Sequence, residues 1–164
     1  MTRSIRTIAI VASLATALAM VAAAPVAAGA PRDVTIVSHM HFNPPGEFNT
    51  GDFTASGPAV DQGLICASGD VVDTRLIFAG GQSNRGAQIP VRKTFTCGDG
   101  SGQIFVKIQV HLDFATSTET FSWVILGGNG AYGGLSGSGQ GTTVSDGSEP
   151  QTGNFNTYTG FLVP

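Results

Sequence analysis

The sequence has little charge and no excess of basic residues. Only 12% of its 164 residues are charged, with 8 Lys or Arg against 11 Asp or Glu. Proteins bind nucleic acids and anionic membranes through clusters of basic residues, which this chain lacks. No nucleic acid partner is therefore expected. Because 41% of the residues are hydrophobic, the chain can still build a core and is not a disordered polyelectrolyte.

The sequence also lacks helical and long-repeat patterns. No window shows the apolar stripe of an amphipathic helix, and no repeat of propeller length is visible. Glycine is abundant instead, with 23 residues, whereas the usual share is about 7%. Each glycine inside a helix costs about 1 kcal/mol relative to alanine. These features argue against a helical bundle, a coiled coil and a propeller.

The N-terminal region has the composition of a secretory signal. Arg3 and Arg6 precede an uncharged apolar run at 7–20, which small residues follow. The uncharged stretch is long enough for a transmembrane anchor. Pro25 and the lack of a basic flank after the stretch favour cleavage instead. We therefore expect a secreted, extracellular protein without a stable membrane anchor.

The cleavage site sets the expected domain boundaries. Small residues precede a cut after Ala28, and a cut after Ala30 also fits the pattern. We choose Ala28, which makes residues 1–28 a signal peptide and residues 29–164 one domain. The loss of two arginines leaves 6 basic and 11 acidic residues. The mature chain then has a net charge of 6 − 11 = −5.

Cysteine is scarce, and its count is even. Cys66 and Cys97 are the only two cysteines. In an exported protein such a pair predicts a disulfide, and the alternative is a free thiol nucleophile. The bridge would close a loop of about 32 residues, for which the chain-entropy treatment gives about 3–4 kcal/mol of stabilisation.

Strand patterns run through the remaining sequence. In the segment 103–113, apolar and polar residues alternate over eleven positions, which predicts a half-buried antiparallel strand. Glycine-rich turns separate it from weaker candidates. Many short strands with such turns indicate a sandwich or a closed barrel. The eight predicted strands are 33–41, 47–55, 69–78, 89–96, 103–113, 119–126, 136–144 and 157–163.

A glycine motif follows the sixth predicted strand. Residues 128–133 match G-x-G-x-x-G, but a dinucleotide site needs a helix behind the motif, and the next residues are again glycine-rich. We therefore expect no nucleotide and no other cofactor. The motif predicts a structural turn in which glycine supplies positive φ and a short helical turn tucks two apolar side chains under the sheet. The residues of this turn are Gly127, Gly128, Gly130, Tyr132, Leu135 and Gly137.

The same region carries a family resemblance. Residues 123–142, WVILGGNGAYGGLSGSGQGT, resemble the GGTGxYxxxxG region of the allene oxide cyclase and dirigent families. They resemble still more closely small exported bacterial proteins with that barrel-like fold, and residues 94–102 and 158–160 add to the likeness. The resemblance implies an eight-stranded antiparallel β-barrel of the calycin-like kind. No catalytic residue of the cyclases can be placed on a position of this chain.

Few residue patterns in the sequence indicate a catalytic or metal-binding site. His39 and His41 lie two apart on one strand face, a spacing that can chelate a metal ion. A third ligand could come from Glu47, His111 or Asp113, but nothing in the sequence brings these residues together. Two exposed histidines at a strand end are the better interpretation, and no metal site is expected.

Acidic residues inside a barrel would be candidates for acid–base chemistry. Asp70 and Asp73 lie on opposite faces of their strand, so one of them can face inward. Glu119 is expected at a strand start or rim. No serine-hydrolase elbow is followed by a matching histidine. No catalytic residue is therefore assigned.

The apolar row of the clearest strand is the candidate lumen lining. Eight-stranded barrels either fill with side chains or hold one small ligand. We therefore expect a non-enzymatic binder of a small apolar ligand or of a surface partner. The alternatives are a cofactor-independent isomerase or cyclase of the allene oxide cyclase type and a structural envelope protein, and nothing in the sequence specifies an oligomeric state. The candidate lumen residues are Ile104, Val106, Ile108, Val110 and Leu112.

Overall fold

The computed structural model describes residues 29–76 and 86–164. Eight strands follow one another along this part of the chain, and each pairs antiparallel with the next. The last strand pairs with the first, so the sheet closes into a barrel. The strands are β1 (Arg32–His41), β2 (Thr50–Ser56), β3 (Ser68–Leu76), β4 (Gly86–Cys97), β5 (Gln103–Asp113), β6 (Thr118–Gly128), β7 (Ser136–Ser145) and β8 (Gly153–Val163).

β5 illustrates why the chain forms a barrel. Successive side chains of a strand point to opposite faces, so its apolar row lies inside and its polar row outside. Ile108 is 2% exposed, whereas Lys107 and His111 are exposed on the outer wall. The predicted fold class, a single eight-stranded antiparallel β-barrel with one disulfide, is confirmed.

The predicted strands coincide with the observed ones, but some ends differ. β8 begins at Gly153 rather than 157, and β4 begins at Gly86 rather than 89. Asn154 and Asn156 thereby join the sheet through pairing with β1, although asparagine is poorly represented in strands. Pairing with a long neighbour extends a strand beyond its own residue preference. Residues 77 and 78 of the third predicted strand lie outside the described residues.

One end of the barrel is closed. A short helix, α1 (Pro58–Asp61), and a 3-10 turn, Gly130–Tyr132, lie at this end. The predicted disulfide between Cys66 and Cys97 is present here. The Tyr132 hydroxyl lies 3.2 Å from Cys97 Sγ and 2.6 Å from Ser101 Oγ. The buried side chains that close this end are Ala59, Ile65, Cys66, Cys97, Tyr132 and Leu135.

Glycines of β7 make room for large rings in the lumen. A Cβ on Gly139 would lie 2.7 Å from Trp123 Nε1, and a Cβ on Gly141 would collide with the Phe121 ring. The Trp123 N–H donates to the carbonyl oxygens of Gln140 (3.2 Å) and Thr159 (3.3 Å). The predicted close approach at the glycine-alternating strand thus serves aromatic packing inside the barrel.

The predicted signal peptide, residues 1–28, lies outside the described residues. Within 29–76 and 86–164, no helix is long and apolar enough to cross a membrane.

Candidate ligand site in the barrel lumen

The lumen has two halves, and the half next to the closed end is packed. Trp123, Tyr158 and Leu162 fill it with Ile104 and Val106 of the predicted row. The free space among these side chains is about 10 Å³, which is at the limit for one water molecule. This half is a hydrophobic core.

The other half is a cup that opens at the far end of the barrel. Its cavity has a volume of about 150 Å³. One part of the lining is aliphatic and aromatic, and the other part is polar. The lining residues are Met40, Phe42, Asn49, Asp73, Leu76, Ile89, Val91, Lys93, Ile108, Val110, Leu112, Glu119, Phe121, Asn154 and Asn156.

The predicted lumen row is therefore divided between the halves. All five of its side chains face inward, but Ile104 and Val106 belong to the packed core. Ile108, Val110 and Leu112 line the cavity. The division arises because aromatic rings from β6 and β8 occupy the lumen beside the first two residues.

An ion pair lies in the polar part of the cup. Lys93 Nζ donates a hydrogen bond of 2.6 Å to Asp73 Oδ1, and Asn49 Nδ2 donates one of 3.1 Å to Asp73 Oδ2. Asp73 is 4% exposed and Lys93 is 7% exposed. Charges withdrawn from water are tolerated only when they are paired and hydrogen-bonded. Asp73 is thus the inward member of the acidic pair in β3, and Asp70 is exposed.

Asn156 extends the polar part toward β1 and β7. Its Oδ1 accepts a hydrogen bond of 2.9 Å from the Thr143 hydroxyl. Its Nδ2 lies 3.0 Å from Asn154 Oδ1 and 3.4 Å from the Ser38 hydroxyl oxygen. A side chain held by three partners has a defined orientation, so Asn156 is a fixed polar part of the cup lining.

Tyr158 lies at the centre of the lumen, between the rings of Phe95, Phe121 and Trp123. It is 1% exposed, and its hydroxyl has no well-formed hydrogen bond within the described residues. Burial raises the pKa of this phenol far above its ordinary value of 10. The nearby Ser38 hydroxyl opposes that pKa shift only in part. Tyr158 therefore stays a neutral hydrogen-bond donor in the lumen.

Among the polar residues of the cup, sequence reasoning missed Lys93, Asn49, Asn154 and Asn156. Lys93 follows Arg92 in the sequence, and an adjacent basic pair usually lies at a solvated strand end, but Lys93 is buried. Lys93 shares the parity of Val91 and Phe95, and that alternation was the available signal. Glu119, expected at a strand start or rim, is half-buried and lines the mouth.

The glycine turn lies at the closed end, away from the cup. Gly127 and Gly130 have positive φ, 141° and 59°, and a Cβ on Gly128 would lie 2.8 Å from Tyr132 Cβ. Tyr132 and Leu135 are buried beneath this turn, and Gly137 lies near the start of β7. The glycine turn is therefore a structural element that closes the barrel.

The remaining candidates lie on the outside. His111 is exposed on the outer wall of β5. Asp113 accepts hydrogen bonds from the backbone N–H groups of Ala115 and Thr116, of which the Ala115 bond is the main cause of its lowered pKa. His111 and Asp113 therefore form no catalytic pair facing the lumen.

Comparisons with protein-family models, with curated proteins and with solved structures found no match to this chain.

Proposed function

We propose that this protein is a secreted barrel that binds a small, largely apolar ligand in the open cup. The observation that carries this proposal is the cavity of about 150 Å³ between an aliphatic wall and a buried polar group. A cavity of about that volume in another protein accepts benzene. The buried part of the ligand should therefore be about as large as one six-membered ring.

The polar part of the cup favours a ligand with an oxygen acceptor. A lysine ammonium has three donors, and the described residues use one of those on Lys93, for Asp73. A carbonyl or hydroxyl oxygen of the ligand would accept a further hydrogen bond from Nζ. Because Asp73 neutralises Lys93, the site favours an uncharged ligand over a second carboxylate. Burial of the apolar part would add about 25 cal/mol per Å².

The proposal also includes secretion of the protein and its relationship to a known family. The basic start and apolar run before residue 29 support secretion, and the disulfide is compatible with an oxidising compartment. The glycine-rich segment and the eight-stranded barrel support kinship with the allene oxide cyclase and dirigent families.

The test is a screen of fatty acids, oxylipins and terpenoids by native mass spectrometry with the purified protein, in which uncharged compounds should bind better than carboxylates. Val110→Leu adds one methylene to the cup wall and should weaken binding. Val124→Leu is the matched control, because Val124 is 40% exposed on the outer wall. Binding that Val110→Leu reduces and Val124→Leu preserves supports the proposal. Equal effects of the two variants would contradict it.

The polar part of the cup favours a second candidate, a cofactor-independent isomerase or cyclase. The Lys93 ammonium lines the cavity, and a cation in a water-poor site can donate to a developing negative charge. Shape and one or two polar groups can suffice for such a reaction. Each ligand found in the screen should therefore be incubated with the protein and examined for a rearranged product. Turnover of a bound ligand supports this candidate, whereas binding without turnover supports the carrier.

A screen without any binder would favour the structural envelope role instead. In that case the cup would be a packing defect near the rim rather than a site.

A further inference from the structure

A cluster of metal-ligating side chains lies on the outer wall, apart from the cup. His39 and His41 point outward from β1, and their ring centroids are 4.3 Å apart. Asp52 of β2 is the direct register partner of His39. One ligand atom from each of the three residues lies within 4.8 Å of the others. Strand pairing thus supplies a third ligand that the sequence did not reveal.

The backbone under this cluster is fixed. All three residues lie within paired strands of the closed barrel, so their Cα positions are set by the sheet. The Phe155 ring stacks on the His39 ring, with centroids 4.3 Å apart and an interplanar angle of 20°. The backbone of the cluster and the His39 ring are therefore ordered on folding, which lowers the entropic cost of binding an ion.

His39 also has an unsatisfied polar atom. Its Nε2 is buried and makes no hydrogen bond within the described residues. The nearest charge is Asp146, whose Oδ2 lies 3.8 Å away. The Ser148 hydroxyl and the Ser148 backbone N–H both donate hydrogen bonds to Asp146 Oδ1, at 2.7 and 3.1 Å, and hold this carboxylate in place. A carboxylate beside a histidine ring is the usual outer partner of a metal-bound histidine.

We propose that His39, His41 and Asp52 bind a divalent transition-metal ion of the Zn²⁺ type on the outer wall of the barrel. Two imidazole nitrogens and one carboxylate oxygen suit such an ion better than Ca²⁺ or Mg²⁺, which prefer oxygen ligands. Tetrahedral binding at about 2.0–2.2 Å requires the ligand atoms to come closer together than 4.8 Å. Rotation of the exposed His41 and Asp52 side chains provides that movement. Three protein ligands leave one position open to water.

The test is a calorimetric titration of the purified protein with Zn²⁺, with Mg²⁺ and Ca²⁺ titrated in parallel. We expect one Zn²⁺ per chain. Loss of an outer partner of a metal ligand already weakens binding by about 10–100-fold, so His41→Ala and Asp52→Asn should each weaken it by at least about tenfold. Both residues are exposed, so these variants should fold normally, which circular dichroism checks.

His111→Ala is the matched control, because His111 is also exposed on an outer strand face. Its affinity for Zn²⁺ should equal that of the unchanged protein. In the unchanged protein, Zn²⁺ should shift the imidazole NMR signals of His39 and His41 and leave those of His111 in place. The proposal is wrong if no saturable Zn²⁺ binding occurs, if His111→Ala weakens it as much as His41→Ala, or if Ca²⁺ or Mg²⁺ binds equally well.

Discussion

Lys93 and Asp73 face each other across adjacent strands inside the barrel, with Nζ 2.6 Å from Oδ1. They are direct register partners on β4 and β3, and the regular pairing of these strands shifts just after Asp73. Both charges are more than nine-tenths buried. The pair gives the cup its polar part and places a cation where a ligand can reach it.

Lys93→Met should lower the free energy of unfolding by about 3–5 kcal/mol, because it leaves the Asp73 carboxylate buried without its partner. Combining it with Asp73→Leu should restore much of that loss, since an apolar pair of similar volume replaces both charges. Urea unfolding measures both variants. Lys107→Met, on the exposed face of β5, is the control and should change stability by no more than about 0.5 kcal/mol. Equal losses for Lys93→Met and Lys107→Met would contradict the burial argument.

Gly130→Ala should destabilise the closed end by about 1–2 kcal/mol or more. Gly130 has a φ of 59°, which L-residues adopt at that cost, and an added Cβ would collide with the Ser101 carbonyl oxygen. Gly134→Ala is the matched control four residues away, where a Cβ meets nothing within 4 Å. Thermal melts of the two variants should differ clearly. Unchanged melting of Gly130→Ala would show that the turn tolerates a side chain.

Tyr158→Phe should leave stability at neutral pH unchanged or raise it by about 1 kcal/mol, because it removes a buried hydroxyl without a well-formed hydrogen bond. A loss of stability would instead show that the hydroxyl has a partner, for which Ser38 is the candidate. Urea unfolding near neutral pH measures the difference.

The same variant should change the alkaline behaviour. The folded protein holds the pKa of Tyr158 above 10, whereas the unfolded chain ionises this tyrosine near pH 10. Above that pH the unfolded state binds fewer protons than the folded state, so stability falls as pH rises. Between about pH 8 and about pH 11, the free energy of unfolding should fall more for the unchanged protein than for Tyr158→Phe. Equal losses would mean that Tyr158 ionises freely in the folded barrel.

Cys97→Ser should lower stability by about 2–5 kcal/mol, because the bridge to Cys66 restricts the unfolded chain. Mass spectrometry without reductant should find the protein two hydrogens lighter than its reduced form. Free thiols titrated in denaturant from the untreated protein would refute the bridge.

The residue pattern alone determined most strand positions, because alternation of apolar and polar residues is a local property. It left a sandwich and a closed barrel open, and only the family resemblance implied the barrel. The fifth strand was predicted by the apolar row from Ile104 to Leu112. The turn after the sixth strand was predicted by the glycines that follow Leu126. The bridge followed from arithmetic, since only Cys66 and Cys97 were available. Even Lys93 had the parity of an inward residue, although its charge suggested an outward position.

The tertiary structure decided which residues from distant segments of the chain lie next to one another. The closing pairs between β1 and β8 depend on register and loop length, which no local pattern specifies. That closure places Tyr158 beside Phe95 and so fills one half of the lumen while the other stays open. Register also brings Asp52 to His39, where the sequence had suggested Glu47, His111 or Asp113 as the third ligand. Side-chain alternation is set within a strand, whereas the closure of the barrel and the sites form between strands. The pattern therefore predicted the strands, but it could not predict the closure, the cup or the metal-ligand cluster.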